Sequence, residues 1–413
     1  MACVVKQPVN GTKGFLVITD GELHDLLETS TTLQDSVRSL RTNWVVAVHC
    51  NSSVQQNVRA NELIDAYIAG PGDIIPLASF TPYQLTMDCS NFCPDYFQRQ
   101  PGRDQKFWDV LFVSRNQEFK SLDVLFQTVR EIFDAAPMRV LAIITHGSAA
   151  DTQLDKSEPL RLYMSMFTVA ERKLFTLLTP WVDYPFPFDL QTLALFYHQS
   201  RSFLHTARDE RHPRVVAYAW AAGIPVIGPP SVAALLPDDL RQPPGFFSFK
   251  DANQAAAAVR RAVEASTSLP PVYSEFHLAS FQIPRLKQEI QKLYAHLGIG
   301  YVDAGWFLDN LDLRLARHHV GNAGTNAARA SLLQLTKQLI QPFPSDIAGD
   351  AELALDAYTI CQSDDARVEK EAVVGRLLFP MRRFGEIRRE RGMRRALQSM
   401  LRVALLRMFG EAG

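Results

Sequence analysis

From residue 107 to residue 266 the chain alternates short apolar runs with amphipathic stretches, and this alternation constrains the fold more than any other feature. WDVLFVS (108–114), RVLAIITHG (139–147), RSFLH (201–205) and IPVIG (224–228) predict strands. Between the first two, SLDVLFQTVREIFDAAP (121–137) carries Leu122, Leu125, Phe126, Val129, Ile132 and Phe133 at helical spacing, one face of an amphipathic helix. Leu190 to His198, Pro213 to Ala222 and DANQAAAAVRRAVEAS (251–266) predict further helices, the second stopped by Gly223. Strands alternating with helices of this length imply βαβ units, a parallel sheet, and ligands bound beyond the carboxyl ends of its strands.

At 413 residues and 46.4 kDa the chain exceeds one compact core, so more modules are expected. GFLVIT (14–19) and WVVAVH (44–49) read as buried parallel strands, with helix predicted from about Glu22 to Arg41 and again over Asn57 to Ile68. Gly70-Pro71-Gly72 ends that second helix, and an extended segment restarts at Asp73. The polar, proline-containing stretch 87–106 marks a boundary, and after Pro270 the sequence reads as mostly helical. The expected division is a short Rossmann-like domain over 1–95, a second over 96–270, and a helical region over 271–413.

Composition narrows the classes. With 47% hydrophobic and 21% charged residues this is a globular chain rather than a disordered or fibrous one. Five scattered cysteines do not make a disulfide framework. Cys89 and Cys93 have no second Cys or His pair at ligand spacing, and the pair His318-His319 has no carboxylate or Cys at short spacing, so no metal is expected. No apolar run reaches the length of a membrane span, and the N-terminus lacks a signal-peptide pattern, which predicts a cytoplasmic protein. The net charge of −1 conceals an asymmetry: ten arginines against Glu386 and Glu390 give 376–407 a local +8, leaving −9 on the remainder. In this segment the arginines mix with Leu, Met, Phe and Val at helical spacing, the pattern of a basic amphipathic helix on an anionic membrane surface at the inner face. The competing reading packs it on the acidic remainder. A nucleic-acid partner is not expected, because the run lacks a recognisable binding fold and has few aromatics.

Two places read as anion sites. In FVSRNQEFKS (112–121), Arg115 and Lys120 flank a short loop between a strand end and a helix start, where two cations and free amide groups suit a diphosphate. In DERHPRVVAYAWAAGIPVIG (209–228), Glu210 lies beside a helix entrance at the ligand end of the sheet, placed to accept hydrogen bonds from hydroxyls, with Arg214 close by on the acceptor or phosphate side. His49 ends the strand WVVAVH and would face an interdomain cleft.

The second segment resembles the donor-binding motif of retaining GT-B glycosyltransferases, particularly glycosyltransferase family 4: a Glu, seven residues and a second Glu before a small-residue helix, then Gly-x-Pro-Val-Ile. Glu210 matches the first Glu and Gly223-Ile-Pro-Val-Ile227 the ending, while Tyr218 stands at the second Glu. The first segment resembles the strand, Arg and Lys that open the family's donor domain, with Ser121 in place of the usual Gly; MDCSNFCP and GFFSFKDANQAAAAVRRAV resemble its interdomain linker and its closing strand and helix. The resemblance covers residues 87 to 267. It implies a GT-B-like α/β fold and metal-independent transfer of a sugar, with retention, from a nucleotide-sugar to a saccharide or lipid-linked acceptor, with no further cofactor. Arg115 and Lys120 would bind the diphosphate, Glu210 the donor sugar, and Tyr218 would stand where the second Glu meets the ribose. Some members place a His like His49 near the donor sugar. Two alternatives stay open: a catalytically silent binding or scaffold protein, and a GT-B sugar-nucleotide epimerase. The family's N-terminal domain is nearly twice as long, so this half is either reduced or completed by C-terminal helices.

Overall fold

Two sheets, each with helices packed on it, organise the chain. The computed structural model describes residues 2–18, 27, 30–50, 58–69, 74–75, 77–87, 89–99, 106–145, 158–179, 190–208, 213–233, 244–265 and 275–315. The first sheet is built from β1 (Ala2–Lys6), β2 (Gly14–Ile18), β3 (Trp44–His49), β5 (Ala66–Ile68) and β7 (Tyr83–Leu85), in the order β1-β2-β3-β5-β7. Only β1 runs antiparallel to its neighbour. A separate two-residue ladder joins β4 (Val58–Arg59) to β6 (Ile74–Ile75).

The helix expected over Asn57 to Ile68 does not form, since Val58–Arg59 and Ala66–Ile68 are strands. Tertiary hydrogen bonds decide this. The buried Asp65 carboxylate accepts from the Val46 amide at 2.9 Å and from Arg41 Nη2 at 2.6 Å, which holds the chain extended beside β3. Of the helix expected from Glu22, the turn Thr31–Leu40 is described, capped by the Ser30 hydroxyl accepting from the Leu33 amide.

The second sheet contains β8 (Trp108–Arg115), β9 (Val140–Thr145), β10 (Phe175–Leu178), β11 (Ser200–Leu204), β12 (Val226–Gly228) and β13 (Phe246–Ser248), all parallel, in the order β10-β9-β8-β11-β12-β13. This is the doubly wound order, in which strands are added outward from β8 on one side and from β11 on the other. Both faces are covered, which is why its strands read as apolar runs. Leu111, Val113, Leu141, Ile143, Phe203 and Val226 pack on the face that carries helices Leu190–His198 and Arg214–Ala221. Val110, Phe112, Val140, Ala142, Leu204 and Ile227 pack on the other, under Leu122–Ala135 and Ala252–Ala265.

The first sheet is completed from far along the chain. Helix Ala279–His296 sets Leu286, Ile290, Leu293 and Tyr294 against Phe15, Val17, Val45 and Ala47, and the short helix Leu311–Leu315 adds Leu311 and Leu315 to the same core. The two chain crossings between the sheets run side by side. Cys93 donates from its amide to the His277 carbonyl (2.9 Å) and accepts from the Ala279 amide (2.8 Å), and Asp95 Oδ1 accepts from the Ser280 amide (3.1 Å) at the start of the long helix.

Gly14 shows how tightly the first sheet is closed: a β-carbon there would lie 2.6 Å from both the Lys6 carbonyl oxygen and the Trp44 ring. Overpacking against a backbone carbonyl cannot be relieved by one side-chain rotation. Gly14→Ala is expected to lower the unfolding free energy by ~1–3 kcal/mol in urea denaturation; an unchanged midpoint and slope would show that β1 gives way freely.

Candidate functional site

The strand order reverses between β8 and β11, so the connections leaving their carboxyl ends depart in opposite directions and leave a crevice above this strand pair. Arg115 is the last residue of β8, and the turn Glu118–Lys120 follows it directly. His205 and Thr206 follow β11. The Thr206 hydroxyl donates to the Lys120 carbonyl at 2.6 Å, tying the two connections across the crevice, and the Asn116 amide donates to the Thr145 carbonyl (2.7 Å) at the end of β9. Lys120, in the first of the two segments singled out from sequence, is thus tied to the connection that leads from β11 toward the second.

Lys120 is only 7% exposed, and its ammonium lies 4.7 Å from the centre of the Phe119 ring, which is itself 44% exposed. The ring face is an electrostatically favourable neighbour for a cation that has lost much of its hydration. Ser121, at the position where the resemblance expects Gly, takes the left-handed backbone conformation (φ 50°, ψ 57°) and starts the helix Leu122–Ala135. The turn therefore keeps the geometry that glycine adopts freely, now with a β-carbon and its steric cost.

Glu210, with the rest of 209–212, lies outside the described residues, as do His318, His319 and the basic segment 376–407. In the described chain to either side, β11 ends at Leu204, and helix Arg214–Ala221 begins after Pro213. Gly223 ends this helix with φ +66°, as expected of a residue that turns the chain back into the sheet.

Arg214 and Tyr218 are one turn apart on that helix and face the same neighbour, Asp312. The Tyr218 hydroxyl donates to Asp312 Oδ2 at 2.7 Å, and Arg214 Nη1 lies 3.5 Å from the Asp312 carbonyl, the outer limit of a hydrogen bond. Tyr218 is 2% exposed and its ring stacks on Phe97 with centroids 4.3 Å apart. Burial, followed by the pull of Arg214 in the opposite direction, leaves its phenol well above the usual tyrosine range. Tyr218 therefore presents no open hydroxyl to the crevice. Asp312 was not singled out from sequence: it is one of two Asp residues in LDNLDLRL and follows no motif, and its partners are nearly a hundred residues away.

His49 ends β3 as expected, but it is 1% exposed and its Nδ1 lies 3.2 Å from the Leu315 carbonyl. The short helix Leu311–Leu315 covers it. Arg115 and Lys120 stand at the carboxyl end of β8, with Lys120 tied to the start of the connection that leaves β11; His49, Arg214 and Tyr218 instead converge on this short helix.

No protein-family model and no curated protein matches the chain. Among solved structures, the chain is similar to the pneumococcal O-GlcNAc transferase GtfA in complex with UDP and GlcNAc, at 13% identity and a TM-score of 0.40 over 66% of this chain and 59% of that one. It is similar to a mutant of S. aureus TarM in complex with Fondaparinux, alpha-GlcNAc-glycerol and UDP, at 10% identity and 0.42 over 61% and 51%. HepE from Anabaena in complex with UDP-glucose matches at 11% identity and 0.41 over 64% and 76%. The chain thus spans little more than half the length of the first two, and the likeness is loose.

Thr206→Val removes the tie across the crevice while keeping side-chain shape. A net hydrogen bond contributes about 0.5–1.5 kcal/mol, so inorganic pyrophosphate is expected to bind roughly two- to tenfold more weakly by titration calorimetry. Equal affinity would show that the tie does not organise the anion site.

Proposed function

We propose that this chain is a glycosyltransferase that moves a sugar from a nucleotide-sugar to a saccharide or lipid-linked acceptor, with retention at the anomeric carbon and without a metal ion. The observation that supports the reading is the Thr206–Lys120 hydrogen bond across the β8–β11 crevice, because it ties the first segment that resembles a donor site to the connection leading from β11 toward the second. In this reading Arg115, Lys120 and the amides that open helix Arg214–Ala221 surround the leaving diphosphate. As the bond from the anomeric carbon to the diphosphate breaks, negative charge builds on phosphate oxygens. Fixed cations and dipoles stabilise that charge more than they stabilise the bound donor. Glu210 accepts hydrogen bonds from the donor sugar's hydroxyls and fixes the ring for attack.

Two variants test this assignment, with a panel of nucleoside diphosphates at about millimolar concentration in thermal-shift measurements. At least one diphosphate should raise the wild-type melting temperature, and the shift should disappear in Arg115→Ala/Lys120→Ala. No shift with any of them would overturn the transferase reading. Glu210→Ala should retain the nucleotide shift and lose about 100-fold or more in turnover of the matching nucleotide-sugar; full activity would remove Glu210 from the site.

A second reading, a relative that no longer handles nucleotides, is favoured by one observation. The phenol of Tyr218 is committed to Asp312 in the core rather than turned outward toward a ribose. Absence of any nucleotide shift, in a chain that melts cooperatively, is the outcome this reading expects.

The segment 376–407 supports a further part of the proposal, a peripheral attachment to anionic membrane that brings the enzyme to a lipid-linked acceptor. Among the described residues no helix is long and apolar enough to cross a membrane. The full chain should sediment with liposomes containing an anionic lipid at low salt, and a chain ended after Phe379 should stay in the supernatant; an intact chain that fails to sediment rejects the attachment.

A further inference from the structure

The short helix Leu311–Leu315 is held from both sides by groups belonging to different sheets. On the side of the first sheet, Leu311 and Leu315 enter its core, His49 Nδ1 meets the Leu315 carbonyl at 3.2 Å, and Arg314 donates to the carbonyls of Val4 and of Phe307. On the side of the second sheet, Asp312 receives the Tyr218 hydroxyl and lies beside Arg214, both from the helix that follows β11. The linker closes the arrangement, with Phe97 stacked on Tyr218. Asp312 is 0% exposed, and its Oδ1 has no hydrogen-bond partner among the described residues. A buried carboxylate with one oxygen unpaired is a costly way to join two surfaces that apolar side chains could join instead.

We propose that helix Leu311–Leu315 is a releasable latch between the two sheets, with Asp312 as the group whose charge decides whether the latch holds. Released, the first sheet can swing about the paired crossings at Cys93 and Ala279, widening the gap beside β8 and β11. Burial raises the Asp312 carboxyl above the usual carboxylate range; the Tyr218 hydroxyl and then Arg214 act in the opposite direction without cancelling it. The other groups facing this cluster are Cys93 from the linker, whose thiol burial pushes well up, and Cys89 beside Arg214. His49 meets the helix at its last carbonyl, and Arg314 donates to backbone carbonyls. The sign follows from linkage. A carboxyl whose closed-state pKa lies above its open-state value favours closure fully below the open-state pKa and loses that contribution as pH rises through the raised one. The latch is therefore tighter on the acid side of that raised pKa and loosens as pH rises through it.

The test reads the distance between the sheets directly and needs no ligand. Spin labels at Asp35→Cys, exposed on helix Thr31–Leu40, and Gln127→Cys, exposed on helix Leu122–Ala135, report it in the full chain with Cys361→Ser. From about pH 4 to about pH 8, the wild-type background should gain a second, longer distance whose population rises severalfold. Asp312→Asn, which keeps the shape and removes the charge, should show one distance at every pH. Tyr218→Phe, which keeps the ring stack and removes the hydroxyl, should show the longer distance already in acid. A pH-independent distance in the wild-type background, or the same pH response in Asp312→Asn, would overturn the latch.

Discussion

The side-by-side pairing of β8 with β11 governs the larger sheet and what lies above it. Ser200 aligns with Trp108 and Phe203 with Leu111, so the two strands start together although nearly a hundred residues separate them, and β8 runs on to Arg115 past the end of β11 at Leu204. Because crossovers between parallel strands are right-handed, the helix after β8 must pass over one face and the helix after β11 over the other. The carboxyl ends of this pair are consequently left uncovered by either helix. Ending β8 on Arg115 and following it with Lys120 places cations there without any special loop architecture, and Thr206 needs only a short reach to lock the second connection to the first.

Burial sets the character of the site as much as topology does. Lys120 is held against the Phe119 face instead of extending into water, which in the proposed donor site would offer an arriving anion a cation that has already lost much of its hydration. Ser121 holds a backbone conformation that its β-carbon disfavours, and the turn that positions Lys120 depends on that residue. Strain of this kind persists where neighbouring contacts overdetermine the chain, and here those contacts are the Thr206 tie and the helix Leu122–Ala135.

The readable parts of the sequence are those in which local pattern and tertiary environment agree. WDVLFVS and RVLAIITHG are apolar on both sides because both sides are covered, and the helical spacing from Leu122 to Phe133 matches a helix with one buried face. The stretch from Asn57 to Ile68 misleads because Ile64, Tyr67 and Ile68 are spaced as on a helix, while the bonds from Asp65 to Val46 and Arg41 select extended chain. β1 and β10 are short and draw their identity from their neighbours rather than from a periodic signal of their own. At the candidate site, the positions of Arg115 and Lys120 were legible because a strand end and a helix start frame them. Asp312 was not: its importance comes from meeting Tyr218 across 94 positions, and no local pattern encodes such a meeting.

The two crossings hydrogen-bonded at Cys93, His277 and Ala279 make the first sheet's unit discontinuous in sequence, because its core draws on residues 3–92 and again on 283–315. This bears on how the gene can be cut and recombined. A fragment stopping near residue 270 would leave Phe15, Val17 and Val45 without the helix that covers them, whereas the sheet of β8 to β13 sits whole between the two crossings, as an insertion does. Exchange of parts with other proteins is therefore easiest for the central piece, lifted out together with Cys93, Phe97 and Leu278, which pack in its core, while the outer piece travels only as a pair of segments.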